Sequence, residues 1–524
     1  MRAWSPDTMI GIAFCFVALV LSTHGVNGER FVQPAAGAKP HIVMILVDDW
    51  GWANVGYHRQ PPTKEVQTPN FDSLCKQGIE LDQHYAYKFC SPSRSSLMSG
   101  RLPIHVNILN ASPDVHNPED PVSGFAAIPR NMTGMASKLK SAGYATHHVG
   151  KWDAGMATPD HTPTGRGFDT TFGYFHHAND FYTEKAGGCM YEKHRHSDIT
   201  DLWMTDGPAV GFNGTIYEEE MFKKHVLDIL SSHPVDTPLF LYYAPHIVHA
   251  PLEVPQSYQD KFSFIDDETR LKYHAMVNYL DDVIGNLTKA LHDRNMWNDT
   301  LIIVSSDNGG PEYPGGGANN FPLRGGKMSN WQGGVRVNAF ASGGLIPASM
   351  RGQKYDGYVA LADWYATFCS LAGVDKHDAR AEAANLPAVD GLDMWPVLSG
   401  QNMTSPRTEI PLSPGLISGD YKILDTKMLQ AGWTGPQYPN STKPKGGIDA
   451  VMDCSQTPCL FNIKEDPEER TNIAGSQPDI LKHMQERWSA WNATAFNPQR
   501  GSAWPEACQT AVEKYGGFWG PFLP

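Results

Sequence analysis

The chain has 524 residues, 41% hydrophobic and 19% charged, which is the composition of folded globular proteins rather than disordered ones. Its length suits two packed domains with a sizeable core. A formal net charge of −14 argues against nucleic acid as a partner, since such binders need basic patches, but leaves room for an anionic substrate in a local cationic pocket.

In chain order, residues 1–28 read as a secretory signal peptide: Arg2 gives the positive start, Met9 to Leu21 the apolar core, and small residues such as Gly25 and Gly28 follow. That run is shorter than the roughly 20 residues needed to span a bilayer, so no transmembrane anchor is expected. Residues 29–38 form a small-residue linker. Eight Asn-x-Ser/Thr triplets agree with the secretory route, giving N-glycan acceptors at Asn110, Asn131, Asn213, Asn286, Asn298, Asn402, Asn440 and Asn492. Of the 8 cysteines, Cys15 lies in the signal and Cys90 in a motif described below. The remaining six, Cys75, Cys189, Cys369, Cys454, Cys459 and Cys508, suggest up to three disulfides in an oxidising compartment, Cys454 and Cys459 being the easiest pair to close.

The run HIVMILVDD (41–49) is continuous, apolar and too short for a helix; it reads as a buried parallel strand ending on Asp48 and Asp49. A helix follows from Thr68 to Gly78, with Thr68 as its cap and Pro69 in its first turn. Cys90-Ser91-Pro92-Ser93-Arg94 comes next, with a helix-compatible run behind it up to Gly100; by residue type alone Cys90 is a thiolate nucleophile or a disulfide half. Further strands are read at YATHHVG (144–150), PLFLYYA (238–244) and TLIIVSSD (300–307), with helices at Glu218–Leu230, Glu268–Leu291 and Asp363–Val374. Alternating strands and helices of these lengths imply an α/β sandwich around a large, mostly parallel sheet over residues 39–400. From residue 401 to 524 the pattern shifts to short strands (YKILDT, PCLFNIK) and a late helix, Asp479–Trp491, as in a smaller C-terminal α+β domain with a short antiparallel sheet.

Two strands end on hard oxygen donors: Asp48 and Asp49 after one, Asp307 and Asn308 after the other. Sites in open α/β sheets lie beyond the carboxyl ends of strands, so the two sets can converge on one ion, Ca²⁺ with Mg²⁺ as the alternative, rather than zinc. The stretch YFHHANDFY (174–182) is either a histidine-rich surface loop or, through His176 and His177, a wall of a substrate pocket.

The segments VDDWGW, CSPSRSSLMSGR, VGKW, the loop at His249, SSDNGG and PLRGGKMSNWQGGVR together resemble the type I sulfatases, nearest the arylsulfatase B-like branch, from about Lys39 to the C-terminal FWGP. The resemblance implies an alkaline-phosphatase-like fold and hydrolysis of small-molecule or carbohydrate sulfate esters. It implies that Cys90 is oxidised to formylglycine by a formylglycine-generating enzyme, and that Asp48, Asp49, Asp307 and Asn308 hold calcium beside residue 90. Arg94 would stabilise the formylglycine hydrate, Asp307 would accept the proton of the attacking hydroxyl, and Lys151, His249 and Lys327 would bind sulfate and assist the leaving alcohol. A phosphoester or phosphonate hydrolase of the same superfamily, or an inert glycoprotein that binds sulfated glycans, are the alternatives. A secreted or lysosomal location follows. One position departs from the family pattern: Gly-Lys-Trp-His is here Gly150-Lys151-Trp152-Asp153. Asp153 acting as the base that frees sulfate, a histidine among His147, His148, His176 and His177 acting in its place, and an altered site are the three readings left open.

Overall fold

The computed structural model describes residues 39–59, 61–188, 198–443 and 449–524. The expected signal peptide, the linker and Cys189 lie outside these residues. Ala38–Pro524 form one compact unit.

The first strand, β1 (His41–Val47), is buried along its whole length. Ile42, Met44 and Leu46 enter one hydrophobic cluster while Val43, Ile45 and Val47 enter another, so both faces of the sheet are covered, as the unbroken apolar run requires. With β2 (Ala145–Lys151), β3 (Thr170–Tyr174), β4 (Leu239–Ala244) and β5 (Thr300–Ser306), it forms a parallel centre in the order β3-β2-β4-β1-β5. This is the middle of a 10-stranded sheet. Trp203–Met204 and Gly207–Pro208 continue one edge antiparallel. Ala339–Ser342 and Ile79–Leu81 continue the other antiparallel, and Gln353–Tyr355 closes it with a parallel pairing. Helices Glu218–Ser232 and Glu268–Asp293 pack on one face; Met135–Ser141 and Asp363–Ala372 pack on the other. All five central strands therefore deliver their carboxyl ends to the same end of the sandwich.

Toward the C-terminus, Glu409–Pro411, Leu416–Ser418, Tyr421–Leu424 and Cys459–Asn462 make a four-stranded antiparallel sheet. The helix Pro478–Asn492 presses Met484 and Trp488 against Leu416, Ile423 and Leu460 of this sheet. Predicted element ends fall within a few residues of those observed.

Three expectations differ from what is seen. Thr68 precedes the helix Pro69–Lys76, but its hydroxyl makes no capping bond. It accepts from the Gly56 N–H at 2.8 Å and donates to Asp72 at 3.2 Å, so neighbours have taken it. Of the cysteines, Cys454 and Cys459 are bridged and Cys508 is disulfide-bonded, but Cys75 and Cys369 are free, buried thiols. These two belong to clusters on opposite faces of the sheet, so three bridges are not reached. YFHHANDFY is a surface loop only in part: Tyr174, Phe175, Asn179 and Phe181 are buried because the segment continues directly from β3 into the core, while His176, His177 and Asp180 are half-buried and Tyr182 is exposed.

Gly150, next to the end of β2, has φ +105° and would place a Cβ 2.0 Å from the Ala244 carbonyl on β4. Gly150→Ala is expected to destabilise the fold by about 2 kcal/mol or more and to lower activity by displacing Lys151. Thermal unfolding and turnover measured side by side check this; an unchanged Tm contradicts it.

Candidate active site

The end of β1 brings Asp48 and Asp49, the end of β5 brings Asp307 and Asn308, and the end of β2 brings Lys151 and Asp153. The loop after β4 brings His249, and Lys327 reaches in from the segment after β5. Cys90 is the first residue of the helix Cys90–Ser99 and Arg94 lies one turn further on, so both face the same place. Asp48, Asp49, Cys90, Arg94, Lys151, Asp307 and Asn308 are essentially inaccessible to solvent.

The Cys90 thiol is directed at Asn308 Oδ1 (3.4 Å) and Asp48 Oδ1 (3.6 Å). Asn308 Nδ2 donates to Asp49 Oδ1 at 2.7 Å, which turns its carbonyl oxygen toward the thiol. Three buried cations face the three carboxylates. Arg94 binds Asp307 Oδ2 through Nε (3.0 Å) and Nη2 (2.8 Å), and donates through Nη1 to the Lys151 carbonyl. Lys151 Nζ lies 2.7 Å from Asp48 Oδ2, and Lys327 Nζ lies 2.8 Å from Asp49. Lys327 also donates to His249 Nε2 at 3.0 Å, and the His249 Nδ1–H is taken by the Ala250 carbonyl.

The electrostatics follow from burial and pairing. Burial pushes the Cys90 thiol up, with Asp307 adding to it. Burial alone would lower Lys327, but Asp49, together with Cys90, Tyr313 and Asp48, outweighs it and holds the ammonium charged. His249 is pushed down by burial and then by Lys327 and Lys151, which keeps its ring neutral. Asp153 would be raised by its burial, yet the charge and hydrogen bond of His177, followed by Lys151, bring it to about 2.

Donor atoms of Asp48, Asp49, Cys90 and His249 lie within 4.8 Å of one another. With Asn308 and Asp307 alongside, the donors are mostly hard oxygens, the chemistry that suits a divalent cation.

These geometries place Cys90 among the carboxyl ends of the strands, and comparison with known proteins decides the family. Residues 40–374 match the sulfatase family.

The chain belongs to the sulfatase family.

As a type I sulfatase it is a sulfuric ester hydrolase. It is 33% identical to arylsulfatase J of Mus musculus over 99% of this chain and 89% of that protein. It is 30% identical to N-acetylgalactosamine-6-sulfatase of Mus musculus over 74% of this chain and 71% of the relative. The crystal structure of Ps i-CgsB in complex with k-i-k-neocarrahexaose superposes with a TM-score of 0.67 at 24% identity, covering 91% of this chain and 98% of that one. The alkaline-phosphatase-like sulfatase fold is thereby shown.

The enzyme assembles all of the expected metal-ligating residues, together with Cys90, Arg94, Lys151, Asp153, His249 and Lys327, in one cluster. His177 joins it through Asp153 (Nδ1 to Oδ1 3.0 Å). His176 is engaged elsewhere, with Asp201 at 2.8 Å and the Trp519 ring at 4.8 Å. His147 and His148 are strand residues fixed by Thr170 and Thr171 at 2.7 and 2.6 Å, and burial lowers both imidazoles. Sequence reasoning missed His246, which is fully buried, bonded to Glu218 at 2.9 Å, and stacked on Phe181 with ring centroids 4.0 Å apart. Its spacing three residues before His249, just past an apolar strand, was the available signal.

Proposed function

We propose that the enzyme removes sulfate from sulfated carbohydrates, using residue 90 as a hydrated formylglycine. The observation that carries this reading is the seat of Cys90: buried, first in its helix, between Asp48 and Asn308, with Arg94, Lys151 and Lys327 around it. The formylglycine-generating enzyme would oxidise Cys90 before the fold closes over it. One hydroxyl of the hydrate then attacks sulfur as the bond from sulfur to the sugar oxygen breaks. Asp307 would take the proton of the attacking hydroxyl. Lys151 and Lys327 offset charge on the sulfate oxygens, and His249, beside Lys327, serves the departing alcohol oxygen. The second hydroxyl must lose its proton as sulfate leaves, restoring the aldehyde, which water rehydrates; Asp153 belongs to that step.

Asp48, Asp49, Asp307 and Asn308 fit a divalent cation, and we assign Ca²⁺, with Mg²⁺ as the alternative. Within the cluster Arg94, Lys151 and Lys327 balance three of the four carboxylates, Asp48, Asp49, Asp307 and Asp153, so a divalent ion would still leave net positive charge for an anionic ester. Bound there, it would supply positive charge to the nucleophilic oxygen and the sulfate. Treatment with a calcium chelator is expected to abolish turnover and lower Tm by several degrees, with calcium restoring both. Full activity and an unshifted Tm after verified metal removal contradict the assignment.

A carbohydrate substrate is supported by the relative named for N-acetylgalactosamine 6-sulfate and by the neocarrahexaose bound to the structural neighbour. Passage through the secretory pathway, to the outside or to lysosomes, is supported by the eight glycan acceptor asparagines, none of which is buried. No helix among the described residues is long and apolar enough to cross a membrane. Release of inorganic sulfate from a panel of sulfated saccharides beside a generic aryl sulfate tests the reading. Release from saccharides is expected, and turnover of none of them contradicts it.

A further inference from the structure

A second cluster of metal-type donors lies near one edge of the large sheet. Glu80, on the strand Ile79–Leu81, and Asp82, just beyond it, are two residues apart, so their side chains leave the same face of an extended chain. His58 ends the turn Gly56–His58, in the segment that follows β1. One donor atom from each of the three lies within 4.8 Å of the others. None of them belongs to the centre around Cys90.

The His58 ring is held in the way a metal ligand is held. Its side chain is 4% exposed, and it stacks on Trp52 with ring centroids 3.7 Å apart. Nδ1 lies 2.6 Å from Asn338 Oδ1, while Asn338 Nδ2 donates to the Gly51 carbonyl at 2.8 Å. That second bond orients the amide, so the atom facing the ring is an oxygen that can only accept. The imidazole proton therefore sits on Nδ1. Burial lowers His58 and outweighs the opposing pull of Glu80, which keeps the ring neutral near neutral pH. Nε2 is left with its lone pair, buried, and it has no hydrogen-bond partner among the described residues. The atom it faces is Glu80 Oε1 at 3.4 Å, another acceptor. Two buried acceptors face to face are unfavourable unless a cation joins them.

Two side-chain cations stand nearby. Arg336 Nη2 takes Asp82 Oδ2 at 2.7 Å. Lys354 Nζ lies 2.9 Å from Glu80 Oε1 and 2.8 Å from Asp82 Oδ1, yet it makes no bond to His58 Nε2. The Lys354 side chain is 54% exposed, so turning it out into solvent gives up two weak pairs.

We propose that His58, Glu80 and Asp82 form a second metal site, which takes a divalent transition ion such as Zn²⁺ through Nε2 and one oxygen of each carboxylate, displacing Lys354. One imidazole nitrogen with two carboxylates suits zinc better than calcium. Asn338 fixes the tautomer from the other ring nitrogen, as the outer partners of metal-bound histidines do. The ion ties the segment after β1 to the sheet, independently of the sulfate chemistry.

Full-length, calcium-loaded enzyme is titrated with Zn²⁺ by calorimetry and with Co²⁺ by visible absorption, as wild type, His58→Gln and Lys354→Ala. Thermal unfolding is followed in each. One equivalent of Zn²⁺ should bind the wild type and raise its Tm. His58→Gln should weaken binding by about 10²-fold or more. Lys354→Ala should tighten it by up to about tenfold, a gain that loss of a structural ion pair would not produce. Because Lys354 is half exposed, its variant should keep the native fold and carries the test even where His58→Gln unfolds. Absence of saturable binding in wild type and Lys354→Ala alike overturns the site. One equivalent bound with equal affinity by all three proteins also overturns it, since the ion would then lie elsewhere.

Discussion

Cys90→Ala should lower sulfate release by more than about 10⁴-fold while leaving the protein folded. The side chain removed is small, and the hydrogen bonds it makes to Asp48 and Asn308 are weak, so the stability cost should be near ~1 kcal/mol. The chemical cost is far larger. As the proposed formylglycine hydrate, residue 90 would present two hydroxyls on one carbon, one to attack and one to drive expulsion, and no other side chain in the cluster can replace it. The lysines and Arg94 would still gather the anionic ester, so substrate should bind while turnover disappears. Binding measured by calorimetry, activity and thermal unfolding together check this; residual activity within tenfold of wild type contradicts it.

Asp48→Asn should have the second largest effect, and on both stability and rate. Asp48 lies 2.7 Å from Lys151 and 3.8 Å from Arg94, all three without solvent access. Removing its charge leaves Lys151, among the described residues, with the ion pair to Asp153 at 3.7 Å in compensation. Breaking a buried pair from one side costs about 3 to 5 kcal/mol. The same change withdraws one oxygen ligand from the proposed ion and releases Lys151 from its position, for which a loss of about 10³-fold in kcat is expected. Denaturant unfolding and kinetics are the checks. A variant with wild-type stability and activity would show that Lys151 is held by something other than Asp48.

Much of the centre was legible in the sequence because its signals are local. An apolar strand ending in Asp48 and Asp49, and another ending in Asp307 and Asn308, place four donors at the carboxyl end of a parallel sheet without further information. The Cys90 segment likewise announces itself by its five residues. Less legible were features that depend on what the fold brings alongside. The Thr68 hydroxyl is drawn away from its helix by Gly56 and Asp72, which a linear reading cannot weigh. Cys75 and Cys369 look like bridge partners by number alone, yet the sheet separates them. The histidines show the same limit: four of them flank Asp153 in sequence, and only the pairing of β2 with β3 and the loop beyond it selects His177. The antiparallel edges of the sheet were also hidden, since those strands span only two to four residues.

The central claim is that residue 90 is the modified nucleophile of this sulfatase, and mass analysis of the peptide that contains it is the most direct test. Protein from a host with the modifying enzyme should show formylglycine or its hydrate at position 90, with specific activity rising in proportion to that fraction. Full sulfatase activity in protein whose residue 90 is cysteine throughout would contradict the account.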